Sequence, residues 1–115
     1  MKLVDRYNSI STAELSAMAA MMFGDLVKAV VDVRQGLMAV DAELHSDEEA
    51  FLLERGSAQE DLWGINLYTA LPGGDFVEFD SVINLRPSRG NRTRGVEDPP
   101  VRERILAIVG NTVIP

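Results

Sequence analysis

Val27-Lys28-Ala29-Val30-Val31-Asp32-Val33-Arg34-Gln35-Gly36-Leu37-Met38-Ala39-Val40-Asp41-Ala42-Glu43-Leu44 is the stretch on which the fold turns. Val27, Ala29, Val31 and Val33 alternate before Gln35-Gly36, and Met38, Val40, Ala42 and Leu44 alternate after it. Period-two apolar spacing around a glycine-bearing turn predicts an antiparallel hairpin. Pairing Arg34 with Leu37 sets both apolar series on one face and brings Lys28 opposite Glu43. A one-residue slip would carry Asp41 and Glu43 to the apolar face, and the cost of burying two carboxylates selects against it.

Upstream, Ser11-Thr12-Ala13-Glu14 is a capping box, and Leu15, Met18, Ala19, Met22 and Phe23 follow at helical spacing up to Gly24. Ala17, Ala20 and Met21 make the back of this helix apolar as well, which suits burial on two sides or a subunit contact. Downstream, Ser46-Asp47-Glu48-Glu49 reads as a second capping box opening a short helix that ends at Arg55-Gly56. A strand from Ala50 to Glu54 is the alternative, because periodicity alone cannot type so short an apolar run. Trp63, Ile65 and Leu67 alternate with Gly64, Asn66 and Tyr68. After Pro72-Gly73-Gly74, Val77, Phe79, Ile83 and Leu85 share one parity, giving two more strands. Asp98 with Pro99 and Pro100 opens a last helix whose buried stripe is Val101, Ile105, Ile108 and Val109. The order helix, two strands, short helix, two strands, helix predicts an α+β fold. Its antiparallel sheet has about four strands, with the N- and C-terminal helices packed on one face.

The chain has 115 residues, enough for one domain spanning residues 1–115 and no more. Hydrophobic residues make up 46% and charged residues 25%, which excludes the composition of a disordered chain. No apolar run approaches the ~20 residues that cross a bilayer, so no membrane partner is expected. The N-terminus lacks the layout of a signal peptide, which points to the cytoplasm. The absence of cysteine rules out disulfides, thiolate zinc sites and thiol catalysis. A net charge of -7 disfavours nonspecific DNA and anionic membranes, because the far field repels phosphates.

That field reverses locally. Residues 1–85 hold 5 basic and 15 acidic residues, a balance of -10, whereas residues 86–104 hold 6 arginines and 3 acids, a balance of +3. The centre of the reversal is Arg86-Pro87-Ser88-Arg89-Gly90-Asn91-Arg92-Thr93-Arg94-Gly95. Arginine presents planar, bidentate donors suited to phosphate or carboxylate, and Gly90 and Gly95 allow the backbone to turn N–H groups toward an anion. Arg86, Arg89, Arg92 and Arg94, with Asn84 and Asn91 as directional donors, therefore form a candidate anion site. The alternative is internal: the arginines clamp the acidic body of the chain, or the acidic face of another subunit.

Asp41, Glu43 and His45 fall at alternate positions of the second predicted strand and could offer a metal a carboxylate-rich partial site. Three alternate residues span about 13 Å on an extended strand, so other strands would have to complete the coordination. In the same register Asn66, Tyr68, Asp80, Asn84 and Arg86 extend this outward face into a polar platform. With one histidine and no nucleophile flanked by a base, Ser-His-Asp chemistry has no support. No cofactor motif occurs, and no cofactor is expected.

The segments Leu44 to Glu49, Gly56-Ser57-Ala58-Gln59-Glu60-Asp61-Leu62-Trp63-Gly64-Ile65-Asn66, and Ile83-Asn84-Leu85-Arg86-Pro87-Ser88-Arg89-Gly90-Asn91-Arg92 resemble a small prokaryotic protein family of unknown function. The resemblance extends over nearly the whole chain and implies a free-standing single-domain protein, with no activity to carry over. Three readings follow. The first is a non-enzymatic cytoplasmic accessory protein that binds a phosphorylated small molecule or an RNA segment through the arginine loop. The second is a metal-dependent hydrolase built on Asp41, Glu43 and His45. The third is a self-assembling protein, such as a homodimer, with the arginines bridging subunits.

Overall fold

A computed structural model describes residues 1–115 and has the expected α+β architecture. In chain order it comprises β1 (Lys2–Val4), β2 (Ile10–Ser11), α1 (Thr12–Met21), β3 (Leu26–Asp32), β4 (Leu37–Val40), α2 (His45–Glu54), β5 (Leu62–Tyr68), β6 (Val77–Glu78), α3 (Pro99–Thr112) and β7 (Val113–Ile114). The main sheet has five strands in the order β1-β4-β3-β5-β6, all antiparallel. The fifth strand, β1, is three residues long, too short to show a period. β2 pairs in parallel with β7 and so ties the start of α1 to the end of α3.

The terminal helices share one face of the sheet, as their stripes require. Leu15 and Ala19 of α1 and Ile105, Ile108 and Val109 of α3 pack against Val27, Ala29, Val31, Met38, Val40, Ile65 and Leu67. Each large aliphatic side chain buried here contributes about 1.5–3 kcal/mol of transfer free energy. The capping box at α1 forms as read: Ser11 Oγ accepts the Glu14 N–H at 3.1 Å, and Glu14 Oε1 accepts the Ser11 N–H at 3.4 Å.

The hairpin keeps its predicted faces but not its predicted partners. Asp32 pairs with Leu37 and Val31 with Met38, two residues away from an alignment of Arg34 with Leu37. A shift of two preserves side-chain parity, so Val27, Ala29, Val31, Met38 and Val40 still face the core, while Ala42 and Leu44 fall outside the strand and Leu44 is exposed. Asp32 causes the shift. Its Oδ1 accepts the N–H groups of Arg34 and Gln35, both at 2.9 Å, while Oδ2 accepts from Gln35 Nε2 at 2.8 Å and Ser57 Oγ at 2.7 Å. The aspartate thus ends the ladder early and closes a loop in which Gly36 takes φ 73°. β4 in turn stops at Val40, where Asp41 adopts φ 75°. Lys28 consequently lies opposite Asn66 of β5 and not opposite Glu43.

Residues 45–54 are helical, and α2 lies on the sheet face opposite α1 and α3, with Leu52 against Val30, Ala39 and Leu62. Its start differs from the reading. Leu44 is the N-cap and no side chain caps the helix, so the box expected of Ser46 and Glu49 does not form. Its end is a Schellman turn: Gly56 at φ 95° donates to Leu53 O at 3.2 Å, and Ser57 donates to Leu52 O at 3.1 Å. With α2 on this face, the open polar platform expected from Asp41, Glu43, His45, Asn66, Tyr68, Asp80, Asn84 and Arg86 does not exist.

The predicted fourth strand is likewise curtailed, since β6 covers only Val77–Glu78. Ser81 Oγ then accepts the Ile83 N–H at 3.3 Å and starts a 3-10 turn over Val82–Asn84. This turn crosses β5 at Gly64, where an added Cβ would come within 2.5 Å of the Cβ and Oγ of Ser81. Asn84, fully buried, replaces the missing strand. Its Oδ1 accepts the Gly64 N–H at 2.8 Å, and its Nδ2 donates to Gly64 O and Arg94 O, both at 2.9 Å. Asn84→Ala leaves both polar groups of Gly64 buried and unpaired. The expected cost is about 3 kcal/mol, from roughly 1–3 kcal/mol for each orphaned group. Denaturant unfolding should show the drop; an unchanged midpoint would contradict the assignment.

Candidate functional site

The arginine segment is committed inside the molecule. Arg86 stacks 4.5 Å over the Trp63 ring and donates to Leu62 O, with a longer contact of 3.4 Å to Glu60 O. Burial lowers its pKa, with Arg89 adding to that effect against the pull of Glu49. Arg89 pairs with Glu60 at 3.0 Å, and Arg94 Nε with Asp80 at 2.7 Å. Arg92 alone of the four has an exposed side chain that meets no partner.

The other expected donors are also spent. Asn84 is occupied as described. Asn91, 5% exposed, donates through Nδ2 to Asn84 O at 2.7 Å, Gly95 O at 2.8 Å and Thr93 O at 3.2 Å, while its Oδ1 accepts the Glu97 N–H at 2.9 Å. The backbone amides of Arg92 and Thr93 point at Glu97 Oε2. An anion already fills the turned backbone, and it belongs to the chain. Of the six residues expected to form the anion site, Asn84 and Asn91 serve the fold, and Arg86, Arg89 and Arg94 hold internal partners.

A different set of residues lines a cleft of about 230 Å³ at the N-terminus of α2: Lys28, His45, Ser46, Ser81 and Arg94 among them. The amides of His45 and Ser46, first in the helix, donate to no protein group, and no side chain caps them. Uncapped N–H groups at a helix start carry the positive end of the helix dipole. Lys28 forms no ion pair and rests 5.3 Å from the Phe23 ring centroid. Arg94 uses only Nε on Asp80, leaving its terminal nitrogens unpaired. His45 is 7% exposed, and its Nε2 lies 2.7 Å from Ile65 O, which makes Nε2 the protonated nitrogen and leaves Nδ1 without a partner. Burial is the largest cause lowering the His45 pKa, and Lys28 and Arg94 add to it. The imidazole is therefore neutral at pH 7.

Besides His45 and Arg94, already named as candidates, two of these residues carried weak signals in the sequence. Lys28 was the one cation inside an apolar strand. Ser46 stood at a helix start, where a cap was expected. Ser81 had no signal, because its position depends on the turn that crosses Gly64.

Asp41, Glu43 and His45 do not share a strand face. The first two lie in the connection from β4 to α2, and His45 turns inward at the start of α2. No group of three His, Cys, Asp or Glu side chains is arranged to hold a metal ion.

Glu48, one turn beyond His45, is fully buried, and neither carboxyl oxygen makes a hydrogen bond of acceptable geometry. Burial drives its pKa up to about 10; the nearby Ala42 amide and Lys28 oppose the shift without cancelling it. Glu48 is thus protonated at neutral pH, which leaves Lys28 without a counter-charge. A carboxyl whose folded pKa exceeds its unfolded one, 4.5, binds an extra proton in the folded state between those values. Stability therefore falls as pH rises across that window, by up to about 1.4 kcal/mol per pH unit. Glu48→Gln should remove this slope between about pH 5 and 9 in pH-dependent denaturation. An unaltered slope would show that Glu48 is charged in the folded state.

No curated protein and no solved structure is significantly similar to this chain. A family model described as "Protein of unknown function (DUF5674)" matches residues 4–112, nearly the full length. The match includes both the arginine segment and the cleft at α2, and the chain belongs to that DUF5674 family.

Proposed function

We propose that this protein is a non-enzymatic cytoplasmic accessory protein that binds a small phosphate-bearing ligand in the cleft at the start of α2. One observation carries the reading. An uncapped helix N-terminus with two free amides opens onto a cleft bordered by Lys28, which has no ion-pair partner, and by the free nitrogens of Arg94. Backbone N–H groups and a helix dipole converging with cations are what phosphate recognition requires. The hydroxyls of Ser46 and Ser81 line the same space and can add donors. The cleft, about 230 Å³, is smaller than the ~300–1,000 Å³ pockets that enclose drug-sized molecules. It suits a phosphoryl group whose remaining substituent stays outside.

Neutral Glu48 supports the reading, since a carboxylate there would compete for Lys28. Asp47, also in the first turn of α2, lines a separate groove. The loop from Arg86 to Arg92 keeps a supporting role: it holds the turn that carries Ser81 and Arg94.

Phosphate at about 100 times its dissociation constant should stabilise the protein by about 2.7 kcal/mol, which raises the melting temperature of a domain this size by roughly 10 °C. Lys28→Gln and Arg94→Gln should each weaken binding about tenfold, because each removes a charge-assisted hydrogen bond. Arg92→Ala should leave binding unchanged at fixed salt. Phosphate binding that survives both glutamine variants, or is lost in Arg92→Ala alone, would overturn the assignment.

A further inference from the structure

On the other side of α2 lies a second depression of opposite character, about 560 Å³ in volume. Its floor includes Met1, Met22 and Phe51, and Met1 and Met22 are 54% and 36% exposed. Its rim carries Asp41, Glu43, Asp47 and Glu54, none of which forms an ion pair or a side-chain hydrogen bond in the chain.

One of these acids occupies a position that the helix by itself does not favour. Glu54 is in the last turn of α2, where the helix dipole disfavours negative charge. The wall facing the groove is the stripe 47, 50, 51, 54 of α2, which is one continuous helix face. Phe51 already accepts a cation on its ring, as the Arg55 guanidinium lies 3.5 Å over it.

We propose that this groove docks a basic amphipathic helix of a partner protein, with the partner's apolar stripe on the Met and Phe floor and its lysines or arginines against the four carboxylates. Charge complementarity is the argument: an apolar floor ringed by unpaired acids fits a cationic amphipathic segment and repels an acidic one. The site is independent of the phosphate cleft, and either can fail without the other.

The test is fluorescence anisotropy with a labelled Lys/Leu peptide whose leucines follow i, i+3, i+4 spacing, against a scrambled peptide of the same composition. The patterned peptide should bind, and binding should weaken as salt screens the rim. The double variant Glu43→Lys, Glu54→Lys should lower affinity by about tenfold or more. Both residues are exposed, so the variant should fold, and a melting temperature no lower than that of the parent would verify it. Equal binding of the scrambled peptide, insensitivity to the charge reversal, or no binding at all would overturn the proposal. A concentration-dependent dimer that Ala50→Arg abolishes would overturn it too, by giving the groove to a second copy of this chain.

Discussion

The outer edge of β5 is the constraint on which the rest of the molecule depends. β6 covers that edge only beside Asn66 and Leu67, so the backbone groups of Gly64 and Leu62 would otherwise be left open. Unpaired strand edges cost stability and invite association with other chains. Here side chains take the place of a strand. Asn84 satisfies both polar groups of Gly64, and Arg86 covers Leu62 O while stacking on Trp63. The two-residue spacing of Asn84 and Arg86 matches that of the edge groups they cover. Asn91 and Glu97 then fix the loop that brings them there.

This arrangement gives most of the arginine-dense segment of an acidic protein internal partners. Arg86 meets backbone carbonyls, Arg89 meets Glu60, Arg94 meets Asp80 through Nε alone, and the turned amides meet Glu97. Exposed ion pairs of this kind contribute little stability each. Their larger effect is geometric: Ser81 and Arg94 are held at the start of α2, where amides, Lys28 and a neutral His45 meet. Family membership adds no activity to this picture.

Much of the fold was legible because it rests on short-range rules. The α1 capping box, the parity of β3, β4 and β5, the stripe of α3 and the placing of both terminal helices on one face all followed from spacing and burial. Asp32 moved the hairpin register because a side-chain acceptor at a strand end can supply the turn's hydrogen bonds, which a hydrophobic pattern does not reveal. β1 was missed for its brevity. The outward platform failed because α2, though foreseen, was not assigned to a face, and its Leu52 had to be buried somewhere. The roles of Asn84 and Arg86 could not be read at all. They depend on which groups of β5 remain unpaired after the sheet has formed, and that is a property of the tertiary structure.

The central claim is that Arg86 and Arg89 serve the fold while the anion site lies at the N-terminus of α2. A phosphate titration followed by backbone amide NMR tests it most directly. The account predicts saturable shifts at His45, Ser46, Ser81 and Val82, with the amides of Arg89 to Arg92 undisturbed. Saturable shifts confined to Arg89 through Arg92 would contradict it.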